Sequence, residues 1–143
     1  MNIIKVALVG LSGVGKSSFT TLLNTGEIDN VKDYDKCYYK TDDKEDITIF
    51  KFVKEKEANV IFLMFDFSRD FTLNYIETFL NNNTTKPVII LGNKNDLDYD
   101  GEKIISKINE YIKKYSNVIS FHDISVVSFS HITCPLDSAI ANL

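Results

Sequence analysis

The chain is poor in residues that staple, ligate or anchor. Its two cysteines, Cys37 and Cys134, follow no pattern, which argues against a disulfide framework and for a reducing, cytoplasmic setting. Its two histidines, His122 and His131, lack metal-ligand spacing and read as incidental. Apolar runs are short. None nears the roughly 20 residues needed to span a bilayer, and no signal-peptide pattern occurs. Charge of one sign is scarce too. Lys and Arg number 16 against 20 Asp and Glu, a net −4 with no basic stripe, so no nucleic-acid partner is expected. Residues 135–143 carry no cysteine for prenylation, so no lipid anchor is expected from this chain. Repeats and internal linkers are missing as well. What remains is a single domain, 1–143, 44% hydrophobic and long enough to bury a full core. A monomer is expected.

Against this plain background one motif stands out. Residues 10–17 read Gly-Leu-Ser-Gly-Val-Gly-Lys-Ser and follow the apolar run Ile3-Ile4-Lys5-Val6-Ala7-Leu8-Val9. This is G-x-x-x-x-G-K-S between a buried strand and a helix, the setting that a phosphate-binding P-loop needs. Gly10, Gly13 and Gly15 permit conformations and approaches that a Cβ would obstruct. Ser12, Val14 and Ser18 complete the loop and the helix start. The backbone N–H groups form an anion nest, and the helix dipole adds positive potential. Lys16 is placed for the β- and γ-phosphates, and the Ser17 hydroxyl for Mg²⁺.

A second motif points to the base. Pro87-Val88-Ile89-Ile90-Leu91-Gly92 reads as a buried strand and ends in Asn93-Lys94-Asn95-Asp96. A carboxylate on Asp96 accepts two hydrogen bonds from guanine N1–H and its exocyclic amine, a pair that adenine does not offer. Lys94 would lie over the purine face, and Asn93 would tie the motif to the P-loop. A polar turn after a strand has a similar composition, so the motif gains its meaning from the P-loop upstream.

With both motifs in place, the chain resembles the Ras superfamily of small GTPases, its Rab branch most closely. Residues 5–23, 60–68 and 87–97 carry the resemblance. A weaker stretch is Phe121-His122-Asp123-Ile124-Ser125-Val126-Val127, where the family carries Ser-Ala-Lys. Ser125 matches, Val126 is a mild change and Val127 replaces the lysine. The resemblance implies that the backbone at Ser125 and Val126 meets the guanine oxygen. The same residues read equally well as an ordinary strand end.

The resemblance also shows what is missing. The family places Asp-x-x-Gly after its third strand, followed by a switch helix with a catalytic Gln. Here Ile47-Thr48-Ile49-Phe50-Lys51-Phe52-Val53 runs into Lys54-Glu55-Lys56-Glu57-Ala58-Asn59 without that motif. Asp66 ends an apolar strand in the manner of a Walker B aspartate, but it aligns with a Rab fourth-strand Asp away from the metal. The first switch lacks its threonine: Thr25 is too close to the helix and Thr41 too far along. Ile28 falls near the aromatic that flanks the base, with Tyr34 as a substitute. Asp29, Asp33 and Asp35 read as a solvated loop.

The element order is α/β. Strands are expected at 3–9, 36–40, 46–53, 60–65, 88–91 and 118–121, with the second and third as a hairpin. Helices are expected at 15–23, 70–81, 101–115 and 136–143. Phe71, Tyr75, Ile76, Phe79 and Leu80 face the core in the second helix, and Ile104, Ile105, Ile108, Tyr111 and Ile112 in the third. Parallel strands need a crossover of a dozen or more residues. Only the stretch 54–59 separates the third strand from the fourth, a span of roughly 20 Å. That suffices only if the third strand ends early, near Phe50. The resemblance thus implies a P-loop NTPase fold of small-GTPase type, a mostly parallel sheet with helices on both faces, shortened between strands three and four. It implies GTP or GDP and Mg²⁺ as ligands and weak or absent hydrolysis, with no catalytic residue identified. An active Rab-like switch in signalling or vesicle traffic, and an interaction module without turnover, are the alternatives. Any effector or regulator is left unnamed.

Overall fold

The computed structural model describes residues 2–41, 46–93, 101–126, 128 and 131–143. The strands are β1 (Asn2–Val9), β2 (Lys36–Tyr39), β3 (Thr48–Phe52), β4 (Val60–Asp66), β5 (Val88–Asn93) and β6 (Val118–Asp123). The helices are α1 (Lys16–Thr25), α2 (Asp70–Asn82), α3 (Gly101–Lys114) and α4 (Cys134–Asn142). They build a six-stranded sheet in the order β2-β3-β1-β4-β5-β6, with β2 antiparallel to β3 and every other pairing parallel.

The central strands are apolar on both faces because helices cover both. In β4, Ile61, Leu63 and Phe65 pack with Leu73, Ile76, Phe79 and Leu80 of α2 and Ile104, Ile108 and Tyr111 of α3. The alternate residues Val60, Phe62 and Met64 pack with Phe19 and Leu22 of α1 and Leu136 and Ala139 of α4. This is the period of two expected of a doubly covered strand. Each large side chain so buried contributes roughly 1.5–3 kcal/mol.

The short link between β3 and β4 has a simple geometric resolution. β3 pairs with the first part of β1, from Asn2↔Thr48 to Val6↔Phe52. β4 pairs with the second part, from Val6↔Val60 to Val9↔Leu63. The chain leaves β3 and enters β4 at the same level, so it steps sideways across β1 and never runs back along the sheet. Two strand spacings, about 10 Å, are all it must cover. The step is fastened to β1 at both ends: Val53 N–H donates to Val6 O at 2.8 Å and Asn59 N–H to Lys5 O at 2.8 Å. A single 3-10 turn, Glu55–Glu57, lies between. β3 therefore does not end near Phe50, as the length argument required, but continues to Phe52.

Three side chains expected in the core lie outside it. Phe71 is 56% exposed and packs under the Arg69 guanidinium, 5.1 Å from its ring centre. Ile105 and Ile112 are 38% and 36% exposed on α3, whose inward face is Ile104, Ile108 and Tyr111. Isoleucine at every turn of a helix overstates the width of the buried stripe. Among the described residues no helix is long and apolar enough to cross a membrane.

Candidate functional site

The loop from β1 to α1 lies at the carboxyl ends of the parallel strands. β1 leads through α1 to β2 and β3 on one side, while β4 lies on its other side. Such a switch point in strand order leaves a crevice where ligands of α/β sheets bind. A cleft of about 570 Å³ opens there, lined by Ser12, Gly13, Gly15, Lys16, Ser17, Ser18, Ile28, Asn93 and Val126. Most of the residues singled out from sequence thus come together in one place.

α1 begins at Lys16 with Gly15 as its N-cap, in the left-handed region at φ 109° and without a side-chain cap. A Cβ on Gly15 would lie 2.2 Å from Asn93 Nδ2, so both conformation and space require glycine. The first N–H groups of a helix have no partner inside it, and here no side chain caps them. They face the cleft with the positive end of the helix dipole, an arrangement that suits an anion. Lys16 Nζ donates to Gly10 O and holds its charge against the loop. Val14 is fully buried, and its carbonyl accepts a hydrogen bond of 2.8 Å from Asn93 Nδ2. Asn93 Oδ1 in turn accepts from Val126 N–H at 3.2 Å. One buried amide thus joins the P-loop, the end of β5 and the loop after β6.

Lys94 and Asp96, which the sequence reading assigns to the base, lie outside the described residues, as does Val127. Ser125 is fully buried and accepts a hydrogen bond from Ser128 N–H at 3.1 Å. Ile28 and Val126 supply apolar wall to the cleft. Tyr34 lines a different recess, beside Lys16 and Ser17, and not the wall formed by Ile28.

Three residues beside the P-loop gain roles that sequence reading missed. Asp66 is 1% exposed, and its carboxylate is engaged in the turn from β4 to α2. Oδ1 accepts from Ser68 N–H at 2.8 Å and from Ser68 Oγ–H at 2.6 Å, while Oδ2 accepts from Arg69 Nε at 3.0 Å. Arg69, the chain's one arginine, then donates from Nη2 to Ser12 O at 3.0 Å. Its guanidinium fills the place beside Gly13 where a Cβ would come within 3.2 Å of Nη2. An Asp with Ser two residues on is a known turn signal and was the available clue. On the other flank, Ser17 Oγ donates to the Asp33 carboxylate. Asp33 therefore has a partner in the P-loop, while Asp29, Asp33 and Asp35 are all exposed, as expected of a solvated loop. Nothing in the local sequence announces that contact.

The threonines behave as the spacing suggested. Thr25 Oγ1 donates to Thr21 O at 2.9 Å and accepts from Glu27 N–H at 3.1 Å, closing the end of α1. Thr41 follows β2, whose Tyr39 pairs with Thr48 at the start of β3, the end of the sheet away from the P-loop. His122 is held below its usual pKa chiefly by burial, and His131 bonds to Asp123 O at 3.0 Å. Among the described residues no three His, Cys, Asp or Glu side chains form a metal cluster.

Comparison with protein-family models finds no match to this chain, and comparison with curated proteins finds none either.

Proposed function

We propose that the chain is a small-GTPase-like P-loop protein that binds guanine nucleotide with Mg²⁺ in the cleft at the start of α1. The observation that carries this reading is the buried Asn93. The first residue of the Asn-Lys-x-Asp motif bonds at once to the P-loop carbonyl of Val14 and to Val126 N–H. That links a phosphate-type loop to a base-type loop across one cleft, as a nucleotide requires. The strand order and the helices on both faces are compatible with a P-loop fold.

In this reading the phosphates sit on the N–H groups of the loop and of the α1 start, and Lys16 supplies the cation. The donors beside them are hydroxyl and carboxylate oxygens, which suit a hard divalent ion such as Mg²⁺. Ser17 would hold it through Oγ, and the ion would neutralise phosphate charge. Asp96 would read the guanine edge, with Lys94 over the ring. Hydrolysis is expected to be slow or absent. The chain contains no glutamine at all, so the family's water-orienting residue has no counterpart anywhere in the sequence given.

Competition against a fluorescent guanine nucleotide tests the reading, followed by a single-turnover hydrolysis assay. GDP and GTP should displace the probe and ATP should not. Displacement by ATP as effective as by GTP would remove the guanine assignment, and rapid turnover would remove the statement on hydrolysis.

A further inference from the structure

We propose that Asp33 is a second protein ligand for the divalent cation of this site, beside Ser17; the proposal rests on the nucleotide reading above. Asp33 is exposed, but its backbone is pinned on both sides. Thr21, fully buried in α1, accepts from Lys32 N–H at 3.0 Å and donates to Lys32 O at 3.0 Å. Two residues beyond Asp33, Phe52 N–H of β3 donates to Asp35 O at 2.9 Å. The segment is thus clamped between α1 and β3, with Asp33 between the clamps. Much of the entropy of presenting its carboxylate is already lost in folding. The carboxylate accepts a hydrogen bond from the Ser17 hydroxyl, and Lys16, Ser17, Asp33 and Tyr34 border one recess of about 240 Å³.

The chemistry then selects the ligand. Mg²⁺ favours one or two carboxylates together with phosphate oxygens and water. No Asp-x-x-Gly follows the third strand to serve it, and neither Thr25 nor Thr41 has the spacing of the switch threonine. Asp66 is committed elsewhere, its oxygens taken by Ser68 and Arg69. Among the described residues, Asp33 is the carboxylate seen bonded to the P-loop serine. Its charge has opposite consequences with and without a cation. With Mg²⁺ present it ligates and strengthens nucleotide binding. With the cation removed it is a bare negative charge beside phosphates and weakens binding.

That reversal of sign is the test. GDP affinity is measured for wild type, Asp33→Asn and the control Asp29→Asn, an exposed carboxylate of the same segment, in excess Mg²⁺ and in EDTA. Asp33→Asn should lose about tenfold or more in Mg²⁺ and gain several-fold in EDTA, by the Coulomb energy of one charge at close range. Asp29→Asn should change neither by more than about twofold. A merely structural role would shift both conditions the same way. Wild-type binding that depends on Mg²⁺ identically in Asp33→Asn overturns this proposal and leaves the nucleotide reading standing. No wild-type binding of GDP in either buffer overturns both. Thermal melting of each variant accompanies the titration, and Asp33→Glu, which keeps the carboxylate, should retain Mg²⁺-dependent binding if the proposal holds.

Discussion

Two aspartates flank the P-loop, and they are used in opposite ways. Asp66 is 1% exposed, surrounded by donors from Ser68 and Arg69, and it builds the turn that sets Arg69 against Ser12. Asp33 is exposed and meets the loop through Ser17 alone among the contacts described. A buried carboxylate with both oxygens engaged by protein donors is structural. One that offers oxygen to solvent beside a hydroxyl is available to a cation. Position at a strand end gave Asp66 the look of a metal aspartate, but its partners keep it in the turn, in line with its alignment away from the metal. Asp33 is exposed, as expected of a polar loop, yet it has a partner that the sequence did not announce.

The largest expected effect lies between the two flanks. Lys16→Ala removes the cation that the motif aims at the phosphates, and nucleotide affinity should fall about a hundredfold or more. Calorimetric titration that returned wild-type affinity would discard the P-loop reading. Next comes the contrast in stability. Asp66→Ala leaves the Ser68 and Arg69 donors without their acceptor and should cost about 2–3 kcal/mol. That is below the 3–5 typical of a fully buried pair, because the Arg69 side chain is 33% exposed. Asp33→Ala should change stability by less than about 0.5 kcal/mol. Urea unfolding of the two variants checks this, and equal losses would erase the distinction between the flanks.

A smaller change is expected at the base. Asp96→Asn exchanges an acceptor for a donor, so xanthine nucleotides should gain and guanine nucleotides lose by about tenfold or more. Unchanged guanine preference in competition binding would reject Asp96. The smallest effect is one of pH. Burial holds the His122 pKa below its ordinary value, against the opposing pull of Asp123 and Asp137. The unfolded chain therefore takes up that proton first as pH falls. The stability linked to His122 is present above the ordinary histidine range and declines as pH drops below about 6.5. His122→Gln should flatten melting temperature against pH in that window; an unaltered slope would assign the effect to other groups.

Much of the architecture was legible because it follows from periodicity. The continuous apolar runs of β4 and β5 and the spacing of α2 required a doubly covered sheet, and the elements fall within a few residues of their expected limits. Ile105 and Ile112 were misjudged because residue type alone does not measure the width of a helix's buried stripe. The link from β3 to β4 looked too short because sequence does not reveal register. Only the stagger of both strands along β1 shows that no return path is needed. In the site, the P-loop was legible from local spacing, since its glycines answer local backbone demands. Asp33 and Arg69 were not, because each acquires its partner across the fold, Ser17 in one case and Ser12 in the other.

The central claim is that this chain binds guanine nucleotide in the P-loop cleft without a γ-phosphate switch. Neither the family's switch threonine nor its Asp-x-x-Gly is identifiable to give GTP and GDP different holds on the protein, and a ligand shifts an equilibrium only by its differential affinity. Hydrogen exchange on the free protein and on its saturated GDP and GTP-analogue complexes with Mg²⁺ tests this most directly. The prediction is protection of residues 12–18 by both nucleotides, with nearly identical exchange across 24–59 in the two complexes. Protection of 12–18 by neither would contradict binding. Strong GTP-specific protection within 24–59 would contradict the absence of a switch and make Thr25 and Thr41 the first residues to substitute.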